Sequence, residues 1–191
     1  DNGSQDGSVA YVEQAHPKAI LVRNTKNLGF AAAVNQGRSR AQGNYVLLLN
    51  TDARLGKGSL DLLIDAMEAR PECGIAAPQL VHADGTLQHS FDTDPTLATT
   101  FLNKSLLRRL FPGLHPSLRQ SMQEPWEVEN VIGASMLIRA ETFLAVGAFD
   151  EDFFLFLEET DFCRRARQSG WTVLMVPEVR VVHLQGRSKL K

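Results

Sequence analysis

The stretch that most constrains this chain is Tyr45-Val46-Leu47-Leu48-Leu49-Asn50-Thr51-Asp52, a short apolar run ending in two polar side chains. An apolar run without polar alternation reads as a strand buried on both faces, as in a parallel sheet covered by helices. In such sheets ligands sit beyond the carboxyl ends of the strands. Asn50 and Asp52 are placed at that end, on one side because they are two residues apart. Carboxylate and carbonyl oxygens there suit a hard divalent cation on a diphosphate. A strand end whose Asp caps the next turn is the plainer reading of the same residues.

The flanking sequence supplies the rest of an α/β pattern. Ser8 caps a helix over 9–15, and Ala19–Arg23 reads as a buried strand. A small-residue helix runs from Gly29 to about Gln42, and an amphipathic one over 59–69 turns Leu60, Leu63, Ile64 and Met67 inward. Gly74–Pro78 is a further strand, and Asp84-Gly85-Thr86 a hairpin turn. This alternation with short links predicts a mostly parallel sheet flanked by helices. The rhythm lapses over 91–123, which holds three prolines and the basic pair Arg108-Arg109. That segment is expected to be an insertion on the acceptor side of a cleft, Lys104, Arg108 and Arg109 meeting an anionic group. Beyond it, Val131–Ile138 reads as a strand interrupted by Gly133, Ala140–Val146 and Leu157–Ser169 as helices, and Thr172–Val176 and Val179–Leu184 as two strands.

With 191 residues, 43% of them hydrophobic, the chain can build one domain with a substantial core. The net charge of −2 gives no electrostatic footprint for nucleic acid. Two cysteines far apart, Cys73 and Cys163, read as buried reduced thiols of an intracellular protein.

Four constellations carry candidate chemistry. Asp1 opens a glycine-rich turn, where it could accept hydrogen bonds from a base or ribose or simply close the turn. Asn50 and Asp52 form the second. Glu158, Glu159 and Asp161 open a helix beside Phe153–Leu157; apolar surface raises a carboxylate's proton affinity, as a general base requires, though acidic residues also favour a helix start. His183 ends the last strand, where a structural histidine is the commoner case.

Taken in order, these segments resemble the family 2 glycosyltransferases. The similarity runs through the Asp1–Ser8 turn, Asn27-Leu28-Gly29-Phe30-Ala31-Ala32-Ala33-Val34-Asn35-Gln36-Gly37, and Leu47–Asp52. It continues through Gly133–Arg139, Gly147–Asp150, Phe156–Asp161 and Val182-His183. The resemblance covers nearly the whole chain and is strongest to the rhamnosyltransferase-like subgroup. It implies a GT-A-type, Rossmann-like single domain over 1–191, partial because the family's first strand and downstream portion are absent. It implies an inverting enzyme taking a nucleotide-sugar donor and a saccharide or lipid-linked acceptor in bacterial surface polysaccharide synthesis, with Mg²⁺ or Mn²⁺. By position, Asp1, Asn27, Gly29, Asn50 and Asp52 would line the nucleotide site, Asp52 and His183 would hold the metal, and Glu159 would be the base with Glu158 as its neighbour. A cytoplasmic location at the inner face of the membrane, peripheral in a full-length parent, goes with that role. An absent first strand exposes a sheet edge, at which a homodimer or a disordered N-terminus with weak nucleotide affinity is expected. Two other readings stay open: an inactive nucleotide-sugar binding module, and a diphosphate hydrolase using the same metal-binding residues.

Overall fold

The computed structural model describes residues 1–95 and 123–184. The elements in chain order are α1 (Ser8–Ala15), α2 (Phe30–Arg38), β1 (Tyr45–Leu49), β2 (Ala53–Leu55), α3 (Ser59–Glu68) and β3 (Cys73–Val81). They continue with β4 (Phe91–Asp92), β5 (Trp126–Glu127), β6 (Asn130–Val131), β7 (Ser135–Arg139), α4 (Ala140–Val146), α5 (Glu158–Gln168) and β8 (Thr172–His183).

The principal sheet runs β1-β7-β3-β8-β2, with β5 also paired to β8, and β4 and β6 form a separate ladder. The α/β class is as expected, but the strand directions correct the mostly parallel picture. Among the described residues β3 and β8 are parallel, whereas β1–β7, β3–β7, β2–β8 and β5–β8 are antiparallel. The physical reason is β7. It lies between β1 and β3 and runs against both.

Apolar alternation sorts the sheet into three layers. On one face Ile75 and Ala77, Met136 and Ile138, and Val173 and Met175 pack against Ala31 of α2, Phe143 of α4, and Phe162, Cys163 and Ala166 of α5. On the other face Ala76, Leu137, Leu174 and Val176 meet Leu63, Ala66 and Met67 of α3. Neighbouring residues on each strand thus serve opposite layers, as a pleat dictates. Phe149 stacks on Phe162 with ring centroids 4.4 Å apart. Such a pair adds about 0.5–1.5 kcal/mol beyond its buried area.

Several local expectations change. Residues 19–23 form no strand and Ile20 is exposed; the backbone is tied at Ala19, whose N–H donates to the His16 carbonyl, and at Val22, whose carbonyl accepts from the Asp1 amino group. The two final strands are one, β8, which passes through Pro177 because the β3 pairing jumps from Pro78–Val176 to Gln79–Arg180. A proline lacks the ladder donor and is tolerated where register shifts. Gly133 does interrupt the ladder, between β6 and β7. Cys73 and Cys163 are free and buried, and burial pushes their thiols up to about 11 and about 12. Most of the 91–123 segment, with Lys104, Arg108 and Arg109, lies outside the described residues. At its edge Arg167 donates to both carboxylate oxygens of Asp94 at 2.7 Å. Among the described residues no helix is long and apolar enough to cross a membrane.

Candidate functional site

The chain leaves β1 at Leu49 and turns at once, the Ala53 N–H donating to the Asn50 carbonyl at 3.0 Å. Asn50 and Asp52 are therefore separated by a turn, and the pleat rule does not govern their relative direction. The turn feeds β2, whose first residue, Ala53, lies opposite His183 at the end of β8. Leu184 N–H closes the corner on the Asp52 carbonyl at 2.9 Å. Asp52 and His183 consequently meet, Oδ1 to Nε2 at 3.4 Å, with both side chains about nine-tenths buried. The Asp52 Oδ1 atom is buried and makes no hydrogen bond.

Behind His183 lies a buried polar ladder that the sequence reading missed. His183 Nδ1 sits 3.1 Å from Gln88 Oε1, and Gln88 Nε2 donates to the His183 carbonyl at 2.6 Å and approaches His82 Nδ1 at 2.8 Å. Gln79 donates to the Gln88 carbonyl and to Ser90 Oγ, which itself accepts from Leu80 N–H. The hairpin turn at Asp84-Gly85-Thr86, legible in sequence, is what brings Gln88 back: Asp84 Oδ1 accepts from the Thr86 amide and hydroxyl, and Gln88 N–H donates to the Leu80 carbonyl. Gln79, a glutamine in the otherwise apolar run 75–81, was the available signal.

Two carboxylates open α5, and one of them, Glu159, lies beside the loop at Gly133. Glu158 is 3% exposed, and its Oε2 is buried without a partner. Burial raises its carboxyl above the ordinary glutamate value. Glu159 is half-buried and raised as well, by burial, which a hydrogen bond from the Gly133 amide partly opposes. A Cβ placed on Gly133 would lie 3.7 Å from Glu159 and from the Phe30 ring. The next residue, Ala134, accepts the Asn50 N–H at 3.0 Å. Glu159 is thus one loop away from the turn that carries Asp52. Asp161 faces elsewhere, accepting from Arg165 Nε at 2.7 Å.

The turn before α5 is strained. Phe156 (φ 71) and Leu157 (φ 73) both occupy the left-handed region, which costs a non-glycine residue about 1–2 kcal/mol. Phe154, Leu155, Phe156 and Leu157 are exposed, so they do not wall in Glu159 as the sequence suggests. The turn is anchored instead by backbone: Phe30 N–H donates to the Phe154 carbonyl at 3.2 Å. Gly29 (φ 92) makes that approach feasible, since a Cβ there would stand 2.7 Å from the Phe154 oxygen.

The asparagine-rich segment proves to be scaffolding. Asn27 Oδ1 accepts from Asn2 Nδ2 and from Gly29 N–H, and Asn2 Oδ1 accepts from Leu28 N–H. Asn35 grips the Phe149 backbone twice, donating to its carbonyl and accepting its N–H. Asp1 Oδ2 accepts from Gly3 and Ser4 amides at 3.0 and 3.1 Å, closing its own turn.

Asp52 and His183 offer two donors for a cation; among the described residues no group of three or more His, Cys, Asp or Glu side chains forms a metal-holding cluster. The pair still fits a hard divalent ion. It presents an orphaned carboxylate oxygen beside an imidazole nitrogen, and a diphosphate and water would complete the shell.

The three-layer α/β architecture is that of GT-A glycosyltransferases. It superimposes on the structure of GalNAc-T7 with UDP, GalNAc and Mn²⁺ at a TM-score of 0.70, with 17% identity over 96% of this chain and 35% of that one. The mannosyltransferase PcManGT from Pyrobaculum calidifontis, in complex with GDP-Man and Mn²⁺, matches at 0.66 with 20% identity over 99% and 47%. In sequence, Glycosyl transferase family 2 matches residues 1–144. The chain is 32% identical to the N-acetylglucosaminyl-diphospho-decaprenol L-rhamnosyltransferase of Mycobacterium tuberculosis, over 98% of this chain and 66% of that protein. The chain belongs to Glycosyl transferase family 2.

Proposed function

We infer that this domain transfers a sugar, with inversion, from a nucleotide-diphosphate sugar to a hydroxyl of a saccharide or lipid-linked acceptor in bacterial surface polysaccharide synthesis. The observation that carries the reading is the convergence of Asp52 and His183 at one rim with the Glu159 carboxyl a single loop away. Direct displacement needs a base for the acceptor proton, and a carboxylate raised toward neutrality by burial suits that task. Glu159 takes that proton; Glu158, closed off beside it, does not. Asp52 and His183 would hold Mg²⁺ or Mn²⁺, which when bound neutralises charge on the diphosphate leaving group. Asp1, Asn27, Gly29 and Asn50 shape the nucleotide side, Asn27 and Gly29 by fixing the loop rather than by reaching out. The M. tuberculosis relative supports a lipid-diphosphate acceptor and hence work at the membrane's inner face.

The competing reading, a nucleotide-sugar binding module without catalysis, is favoured by the engagement of Asp1 Oδ2 in its own turn. Donor consumption in the presence of Mn²⁺ and a polyprenyl-diphosphate saccharide separates the two. Glycosylated acceptor of inverted anomeric configuration is expected; donor binding without any transfer would overturn the enzyme reading, and free sugar without acceptor would indicate hydrolysis.

A further inference from the structure

We propose that Gln88 is a positioning residue for His183: it holds the imidazole as the Nδ1–H tautomer, so that the bare Nε2 faces Asp52 and the pair can take a divalent cation. The proposal rests on the metal reading above and adds to it a residue outside the rim.

For a neutral imidazole the hydrogen-bond geometry leaves one self-consistent assignment. The His183 carbonyl can only accept, and it lies 2.6 Å from one terminal atom of Gln88, which must therefore be the amide nitrogen. The other terminal atom is then the oxygen, and it lies 3.1 Å from His183 Nδ1. An amide oxygen only accepts, so Nδ1 must carry the proton. A neutral imidazole has one N–H, which leaves Nε2 as a lone pair, and that atom is the one 3.4 Å from Asp52 Oδ1. The second amide proton of Gln88 has its own acceptor, His82 Nδ1 at 2.8 Å. The glutamine therefore uses both ends against one histidine, gripping its backbone and its ring together.

Burial makes the assignment firm. Gln88 is 3% exposed, and Ser90 and Gln79 behind it are 1% and 7% exposed, so water does not compete for these contacts. Gln79 donates to the Gln88 carbonyl at 2.8 Å and Gln88 N–H donates to Leu80, which pins the residue's backbone to β3. A buried donor or acceptor left unmatched forfeits its hydration with nothing in return, so the ladder disfavours the other tautomer. Partners behind a metal-binding histidine commonly set its ring orientation, and losing them weakens metal affinity about 10–100-fold.

The test is the tautomer itself, read by two-bond ¹H–¹⁵N correlation of the histidine rings with the imidazoles neutral. His183 is assigned among the five histidines by the signal lost in His183→Gln. In the unsubstituted chain Nδ1 is expected at the protonated shift and Nε2 at the unprotonated one. An Nε2–H tautomer there would overturn the proposal without recourse to any variant. Gln88→Glu keeps an acceptor toward Nδ1 and should retain the tautomer. Gln88→Met removes it and should pass His183 largely to Nε2–H, with Mn²⁺ affinity, measured by electron paramagnetic resonance, falling about 10-fold or more. Equal Mn²⁺ affinity for the unsubstituted chain and Gln88→Met would overturn the positioning role. If Mn²⁺ fails to broaden the His183 signals of a chain that shows the Nδ1–H tautomer, the metal reading falls and takes the positioning role with it, while the Gln88 contact stands.

Discussion

Two regions of the candidate site are built on opposite principles. The corner of Asp52 and His183 is carried by paired strands and backed by a buried ladder of the Gln88 and Gln79 amides and the Ser90 hydroxyl. The entry to α5 has two residues in the left-handed region, four exposed apolar side chains and two glutamates raised by burial, one with an orphaned oxygen. The first region holds geometry fixed; the second stores strain and proton affinity. A transferase needs both, since a donor diphosphate must be held still while an acceptor hydroxyl is deprotonated.

The largest expected effect lies on the strained side. Glu159→Gln should lose transfer by about 10³-fold or more, roughly 4 kcal/mol, with donor affinity unchanged, because a base acts only in the transition state. The pH dependence has a definite sign. With the Glu159 carboxyl raised, activity should fall on acidification at a pH above the ordinary glutamate range, as the base becomes protonated. An acidic limb at the ordinary value would separate Glu159 from the rate.

Gly29→Ala comes next. The added Cβ meets a backbone carbonyl at 2.7 Å in a left-handed conformation, so neither side can yield cheaply. A loss of about 2–4 kcal/mol in chemical denaturation is expected. Silence would mean the α2–turn anchor is not part of the fold's stability.

Glu158→Gln should do the reverse, stabilising the fold by about 1 kcal/mol at neutral pH, since it removes a charge from a buried, unpartnered position. Its folded-state carboxyl is raised, so the folded state binds the extra proton. Stability in the unsubstituted chain should then decline as pH rises from the ordinary glutamate value through the raised one, and the variant should show a shallower decline, the share of Glu159 remaining. Leu157→Gly, at an exposed left-handed position, should gain about 0.5–1 kcal/mol, the smallest of these effects.

What could be read from sequence divides along similar lines. The helices 59–68 and 140–146 and the Asp84-Gly85 turn follow local chemistry, and they stand where periodicity and turn residues put them. The run 45–49 is a strand, but it ends the sheet among the described residues and is only half-buried rather than covered on both faces, and of the expected 131–138 strand the part beyond Gly133 starts at Ser135. The meeting of Asp52 with His183, 131 positions apart, was expected only from strand ends and family resemblance. Its physical cause, the β2–β8 pairing, involves a three-residue strand too short to leave a pattern. Strand direction was not legible, because β7 enters beyond 123 and nothing in its residues records which way it runs. Gln88 escaped notice because its meaning is tertiary: a polar residue among Thr86, His89 and Ser90 becomes informative only once its partners are known. Asn27 is expected from the family resemblance to line the nucleotide site, and what the structure adds is that its Oδ1 accepts from Asn2 Nδ2 and Gly29 N–H, holding the loop.

The most direct test of the division of labour is nucleoside diphosphate binding by calorimetry, with and without Mn²⁺, for the unsubstituted chain, Asp52→Asn and Glu159→Gln. Mn²⁺ should strengthen binding by about 10-fold, or ~1.4 kcal/mol, in the unsubstituted chain and in Glu159→Gln, and should do nothing for Asp52→Asn. Undiminished Mn²⁺ dependence in Asp52→Asn would contradict the account, for the ion would then be held somewhere other than the corner where Asp52 meets His183.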